Sequence, residues 1–271
     1  MSLGQSSIAS HLKQTAATLA PSLWVRWRLM NRPRSAEREL ALLKNIVSPT
    51  DTAVDVGANL GLYTRTLAGL AKRVHAFEPS PAMASMLKRT SARNVVVHET
   101  ALSDSDGSAA LRIPRAGDHL THSLASLEPD ATAGQDVLVA EVERRRLDSV
   151  IQEPVSFVKV DVEGHELSTL QGATGLIERC RPAFLVEAEN RHRPHATASV
   201  FAYFQDFDYD GFYLRDTAVV GVGAFDAAVD QDESVLRSDG GRAEGRHYIN
   251  NFFFMPTEQD GRRLLEGSPA P

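Results

Sequence analysis

The sequence predicts an α/β fold, a doubly wound sheet that is mostly parallel and covered by helices on both faces. Two observations carry this expectation. Short apolar runs alternate with helical patterns through the middle of the chain, and such alternation with helical crossovers gives a parallel sheet. Four of the runs also end in an acid, namely Asp55, Glu78, Asp161 and Glu187. Ligands of open α/β sheets bind beyond the carboxyl ends of the strands, so these acids gather on one rim.

In chain order, residues 1–10 are small and polar and expected to fray. From His11 to Val47 the pattern is helical, interrupted at Pro21 and Pro33, which sets residues 1–47 apart as a helical cap. Its Trp24-Val25-Arg26-Trp27-Arg28 segment suits either a membrane interface or a cap with the tryptophans packed inward. Strand-like runs follow at Ala53–Val56, Arg73–Glu78, Asn94–Glu99, Val155–Asp161 and Ala183–Glu187. Helical patterns fill Gly61–Ala71, Pro81–Ala92 and Gly164–Arg179, the last with Leu167, Leu170, Leu176 and Ile177 on one stripe. Between the third and fourth runs, Ser108–Ile113 and Asp136–Arg145 read as a strand pair around a long loop, Pro114–Gln135. A loop of that length inside a compact domain is functional or disordered. Gly211–Leu214 and Tyr248–Met255 read as a terminal strand pair, with a mobile polar loop at Gly221–Gly245. Residues 48–258 thus form the main domain, and 259–271 a tail.

Composition narrows the function. The net charge of −6 argues against a nucleic-acid partner. One cysteine, Cys180, leaves no internal disulfide framework, suits a reducing cytoplasm and is expected to be buried at a helix end. No apolar run approaches the roughly 20 residues needed to span a bilayer, and no signal-peptide pattern opens the chain. Homo-oligomer formation is left open.

The glycine turn carries the chemistry. Asp55-Val-Gly-Ala-Asn-Leu-Gly61 links the first strand to a helix, and Glu78 lies 21 residues past Gly57, near the roughly 20-residue offset of one βαβ unit that binds a ribose. In a dinucleotide site the turn faces a pyrophosphate. Two unit charges about 5 Å apart at an effective dielectric of about 20 repel by roughly 3 kcal/mol, so Asp55 disfavours that ligand. S-adenosylmethionine presents an ammonium and a sulfonium instead. Zinc spacings and a Gly-x-x-x-x-Gly-Lys-Ser/Thr phosphate loop are both missing from the sequence.

Further blocks join this turn: Ala76-Phe-Glu-Pro79, Ala101-Leu-Ser-Asp104 with Gly107, Leu147-Asp-Ser149, Phe157-Val-Lys-Val-Asp-Val-Glu-Gly-His-Glu166, Leu170-Gln-Gly-Ala173 and Leu185-Val-Glu187. In this order they resemble the FkbM family of S-adenosylmethionine-dependent methyltransferases, over about residues 51–189. The resemblance implies a class I methyltransferase (Rossmann-like) fold with a seven-stranded sheet and an antiparallel last strand. It also implies methyl transfer to a hydroxyl of a sugar in a polysaccharide or glycoconjugate, or of a natural product. N- or carboxyl-methylation, a dinucleotide oxidoreductase and a non-catalytic binding module are the rival readings.

By position, Asp55, Gly57, Asn59 and Gly61 are expected around the methionine part of the cofactor, and Glu78 at the ribose diol. Ser103 and Asp104 are expected at the adenine, which that region contacts in the family; a plain turn is the alternative. Asp161, Glu163 and His165 form the candidate catalytic block. A helix N-terminus biases an imidazole toward its neutral form, which makes His165 a candidate base, with a solvent-exposed first-turn histidine as the plain alternative. Glu163 and Glu166 also fit simple complements of the helix dipole. Lys159 is expected to pair with Asp55 or Asp161. Asp161, Glu163, Glu187 and Glu189 offer hard oxygen donors to Mg²⁺, although no spacing demands a metal. Asn190, His192 and His195 are further candidates for orienting a substrate or serving as the base.

Overall fold

The structure is a computed structural model, described for residues 20–30, 38–117, 119–236 and 247–267. The expectations for residues 1–19, for Pro33 and for the end of the 221–245 stretch lie outside these residues. Twelve strands form two sheets: β1 (Thr52–Val56), β2 (Arg73–Phe77), β3 (Val95–His98), β4 (Ala101–Leu102), β5 (Gly107–Ala116), β6 (His119–Leu120), β7 (Val137–Arg145), β8 (Phe157–Val160), β9 (Ala183–Glu187), β10 (Tyr209–Arg215), β11 (Ala218–Gly221) and β12 (Asn251–Pro256). The main sheet runs β11-β10-β12-β9-β8-β1-β2-β3. Its pairings from β3 to β9 are parallel, and β12 enters antiparallel between β9 and β10. This is the expected architecture with one strand more than seven, because β11 pairs antiparallel with β10 at the edge.

Alternation along the strands covers both faces. Val54, Val56, Val158, Val160, Phe184, Val186, Phe252 and Phe254 pack into one apolar layer with Leu170, Leu176, Ile177 and Phe204. Ala53, Phe157, Leu185, Phe253 and Met255 face the other layer with Leu43, Leu67 and Leu265. At about 25 cal/mol per Å² of apolar surface, each such side chain contributes roughly 1.5–3 kcal/mol when fully buried. Leu43, from the segment before β1, and Leu265, from the helix after β12, close this layer. Leu265 lies in a helix, Gly261–Glu266, within the stretch expected to be a tail.

Four other details depart from the expectations. The helical stripe after β8 is two helices, Glu166–Gln171 and Thr174–Cys180. They part at Gly172, where a Cβ would lie 1.9 Å from the Ser103 carbonyl oxygen. The second helix receives its own cap, since Asp148 accepts from the Gly175 and Leu176 amides at 2.8 and 2.7 Å. Cys180, at the end of that helix, is half-buried rather than buried. The stretch after β11 is also not a loose loop throughout, for it holds the helix Ala227–Asp230 between short 3-10 turns. In the cap, the helix Pro21–Met30 starts at a proline, whose fixed φ suits a first helical position. Val25 is fully buried there while Trp27 is 55% exposed, so the tryptophans do not both pack inward. Among the described residues, no helix is long and apolar enough to cross a membrane.

The excursion between β3 and β8 forms the second sheet, β4-β7-β5-β6, with β5 and β7 antiparallel along the length of the expected pair. Its loop folds back to the main sheet. Residues 119–132 contain β6, two short 3-10 turns and a bridge between Arg112 and Ser126.

Candidate active site

The order of the main sheet reverses at β1, with β2 and β3 on one side and β8 and β9 on the other. The crevice beyond this reversal is where such sheets bind ligands. The turn after β1 is tied to both neighbours. The amides of Gly57 and Ala58 both donate to the Phe77 carbonyl oxygen at 3.0 Å. Gly57 has φ +78, and a Cβ there would lie 1.7 Å from the Asp161 carbonyl oxygen. Gly57 thus lets β1 and β8 approach each other, and its amide is engaged by the Phe77 carbonyl. Gly61, at φ +82, similarly accommodates Leu87. Asn59 adopts φ +48 and aims its amide at Glu78.

Glu78 is the focus of the turn. Its two oxygens accept from the Asn59 amide at 2.7 Å and the Ser80 amide at 2.8 Å. Each ionised carboxylate oxygen has about two lone pairs, so each keeps one for a further donor. Burial pushes the Glu78 carboxyl up to about 7 against the pull of these amides, with Asp55 and Asp161 adding to the rise. Asp55 lies deeper and accepts from the Thr64 hydroxyl. Burial raises it to about 6, while Thr64 and Lys159 favour its charged form. Asp55 and Lys159 are partners in the β1–β8 register.

Lys159 is completely buried and lies under the Tyr63 ring, 5.0 Å from its centroid. Its ammonium donates to the Val160 carbonyl and the Asn251 Oδ1, both at 3.2 Å. The carboxylate within ion-pair range is Glu187, at 4.0 Å, rather than Asp55 or Asp161. Asp161 follows β8 at the rim and is half-buried.

The catalytic block is more occupied than the sequence suggests. His165 is buried, not a solvent-exposed first-turn residue, and precedes a helix of only six residues. Its Nδ1 lies 2.6 Å from Glu128 Oε1 and its Nε2 2.9 Å from Ser103 Oγ. A free base is therefore not what the structure offers at His165, because both ring nitrogens are engaged. Glu163 sits at φ +53, and His192 Nε2 lies 2.8 Å from its carboxylate. Burial raises Glu163, with the His192 charge opposing that rise. Burial works against the charge on His192, yet Glu163 and Glu189 hold the imidazolium up to about 10. Glu166 is buried and accepts from the Gly164 amide at 2.9 Å, so it is no mere dipole complement on the surface.

Beyond β9, Glu189 takes donors from Arg191 and from the Tyr248 hydroxyl at 2.6 Å. Burial opposes its charge, but these partners and His192 hold its carboxyl well below the usual range. Asn250 donates to Glu187 at 2.6 Å. Asn190 caps the helix Ala196–Gln205 through Thr197, and His195 is the exposed residue before that helix, at φ +62. The Mg²⁺ expectation does not fit this arrangement. Glu163 and Glu189 are committed to His192 and Arg191, and among the described residues no three His, Cys, Asp or Glu side chains are grouped to hold a metal ion.

Sequence reasoning marked the 114–135 loop as functional or disordered but named none of the side chains it brings to the site. His122 Nδ1 lies 3.0 Å from Ser80 Oγ, Ser126 Oγ donates to the Glu163 carbonyl at 2.6 Å, and Glu128 meets His165. The length of the loop was the one available signal.

A family model described as the methyltransferase FkbM domain matches residues 55–210, more than half of the 271 residues. The chain belongs to the FkbM methyltransferase family. The match starts at the acid of the glycine turn and ends on β10. Among curated relatives, this FkbM chain is 30% identical over 158 residues to the hexuronic acid methyltransferase AglP of Haloferax volcanii, covering 56% of this chain and 62% of that protein. Among solved structures it is similar to methyltransferase FkbM from Methylobacillus flagellatus KT, at 18% identity and TM-score 0.48 over 78% of this chain and 47% of that one. It is also similar to the O-methyltransferase from Bacillus cereus in complex with SAH, at 14% identity and TM-score 0.46 over 90% and 96% of the two chains.

Proposed function

We propose that this protein is an S-adenosylmethionine-dependent O-methyltransferase acting on a hydroxyl of a sugar, free or within a glycan. The observation that carries the reading is the pair of acids on adjacent parallel strands at the sheet reversal. Asp55 lies below the turn, and Glu78 is held by two amides with a lone pair left on each oxygen. The residues fit the cofactor. Glu78 takes the ribose hydroxyls, Asp55 supplies negative charge on the methionine side, and Ser103 and Asp104 border the adenine. The bound cofactor supplies an activated methyl group on a sulfonium, so the protein's task is alignment and exclusion of water.

The carboxylate of Asp161 lies beside this pocket and takes the acceptor hydroxyl as a hydrogen-bond donor, which orients an oxygen lone pair for in-line attack. The AglP relative supports a sugar acceptor. A hexuronic acid also carries a carboxylate, which keeps carboxyl methylation as the second reading. Incubation with methyl-labelled S-adenosylmethionine and a panel of hexoses, hexuronic acids and their oligomers tests both. An NMR signal of a methyl ether is the expected outcome; a methyl ester selects the second reading, and no label transferred to any of these acceptors would overturn both.

Binding of the product S-adenosylhomocysteine is expected to depend on pH with a defined sign. Its ammonium and ribose hydroxyls favour the ionised forms of Asp55 and Glu78, which burial holds up to about 6 and about 7 in the free protein. The complex therefore binds fewer protons than the free protein across that window, and affinity rises with pH from about 5.5 to about 8 before levelling. Calorimetry in buffers of different ionisation enthalpy should register proton release near pH 6.5, a value set by those two groups. Proton uptake there would contradict the assignment.

A further inference from the structure

We infer that Glu128, on the loop between β6 and β7, is a positioning residue for the adenine side of the cofactor site, acting through His165 and Ser103. The inference rests on the S-adenosylmethionine reading above and extends it to a residue 25 positions beyond Ser103.

The chain of contacts is short and continuous. Glu128 Oε1 accepts from His165 Nδ1 at 2.6 Å, His165 Nε2 lies 2.9 Å from Ser103 Oγ, and Ser103 Oγ lies 3.2 Å from Asp104 Oδ1. A carboxylate can only accept, so Glu128 fixes the proton on Nδ1 and with it the orientation of the ring. That turns Nε2 toward Ser103. The Ser103 backbone is already set: its amide donates to the Arg145 carbonyl at 2.9 Å, and Gly172 packs against its carbonyl. The hydroxyl is the remaining freedom in Ser103, and its single proton lies between two acceptors, His165 Nε2 and Asp104 Oδ1, so the hold of His165 on it sets how Asp104 is engaged.

Glu128 is itself anchored. Its amide donates to Ser126 Oγ at 3.0 Å, and that hydroxyl donates to the Glu163 carbonyl at 2.6 Å. The His165 hydrogen bond holds the Glu128 carboxyl below its ordinary range against the effect of burial. The loop is therefore fastened on both sides of the block after β8. Through His165 it reaches the one segment where Asp104, an exposed acceptor, is placed to meet the exocyclic amino group of adenine.

The test is calorimetric titration of the wild type, Glu128→Ala and Glu128→Gln with S-adenosylhomocysteine and with S-inosylhomocysteine, in which an oxygen replaces that amino group. Thermal midpoints are recorded on the same samples. The wild type is expected to prefer the adenine ligand. Glu128→Ala is expected to bind it about tenfold more weakly, the scale of one charge-assisted hydrogen bond, and to lose most of the preference. Glu128→Gln retains an acceptor at the same length and is expected to recover part of both.

Unchanged affinity in Glu128→Ala overturns the proposal. So does equal weakening toward both ligands, which a merely structural role would produce, and so does a wild type with no preference. If Glu128→Ala fails to fold, the ratio in Glu128→Gln decides by the same criterion. A wild type that binds neither ligand overturns the cofactor reading itself, a failure distinct from the loss of preference.

Discussion

Gly57→Ala is expected to destabilise the protein by more than about 4 kcal/mol, at the exceptional end for a point substitution. The new methyl would lie 1.7 Å from the Asp161 carbonyl oxygen, on backbone rather than on a side chain that can swing away. The φ of +78 adds strain for any L residue. Relief requires β1 and β8 to separate, and these are the strands at the reversal of the sheet. Chemical denaturation of the purified variant measures the loss, and failure to recover soluble protein is the extreme form of the same result. Gly69→Ala is the matched control. A Cβ at Gly69 meets nothing within 4 Å, and the helix Leu62–Leu70 should gain roughly 0.5–1 kcal/mol. Equal stability of the two variants would sink the close-approach account.

The second large effect is on the ligand. Glu78→Ala is expected to weaken S-adenosylhomocysteine by about a hundredfold or more, close to 3 kcal/mol. It removes the acceptor for the ribose hydroxyls and also releases the Asn59 and Ser80 amides that shape the turn. Glu78→Gln is expected to fall between, because its oxygen can serve one amide while its NH₂ opposes the other. Affinity within about twofold of wild type in both variants, less than one ordinary hydrogen bond, would remove Glu78 from the site.

Much of the frame was legible because its cause is local. The five parallel strands announced themselves as apolar runs, and the acids Asp55, Glu78 and Glu187 marked their ends. Gly57 and Gly61 were read for the cofactor alone, and the packing they also serve was not visible in the sequence. Their partners, Asp161 and Leu87, lie far along the chain, and nothing near Gly57 in sequence reveals a carbonyl pressing on it. The need for glycine at 172 was illegible on the same ground, since the helical stripe continues across it while the Ser103 carbonyl leaves no room there for a Cβ. His165 shows the limit most clearly. One local effect, the helix N-terminus, suggested a free neutral base, whereas Glu128 and Ser103 occupy its ring from 37 and 62 residues away. The cluster of Glu189 with Arg191 and Tyr248 depends likewise on a distant partner, since Tyr248 lies 59 residues from Glu189, just before β12.

The position of β12 has a consequence for how the molecule is made. This strand follows β10 and β11 in the chain, yet it lies in the interior of the sheet, between β9 and β10. Until Asn251–Pro256 leaves the ribosome, β9 has an unpaired edge and the β10–β11 hairpin has no place to dock. Unpaired edges are templates for association with other chains, and domains form during synthesis from the N-terminal side. A nascent chain stalled before Asn251 therefore exposes the bare backbone of β9 and the aromatic layer that Phe252 and Phe254 complete. Closure of the sheet therefore waits on a segment that follows the β10–β11 hairpin in the chain, and the growing polypeptide is most vulnerable before that segment appears.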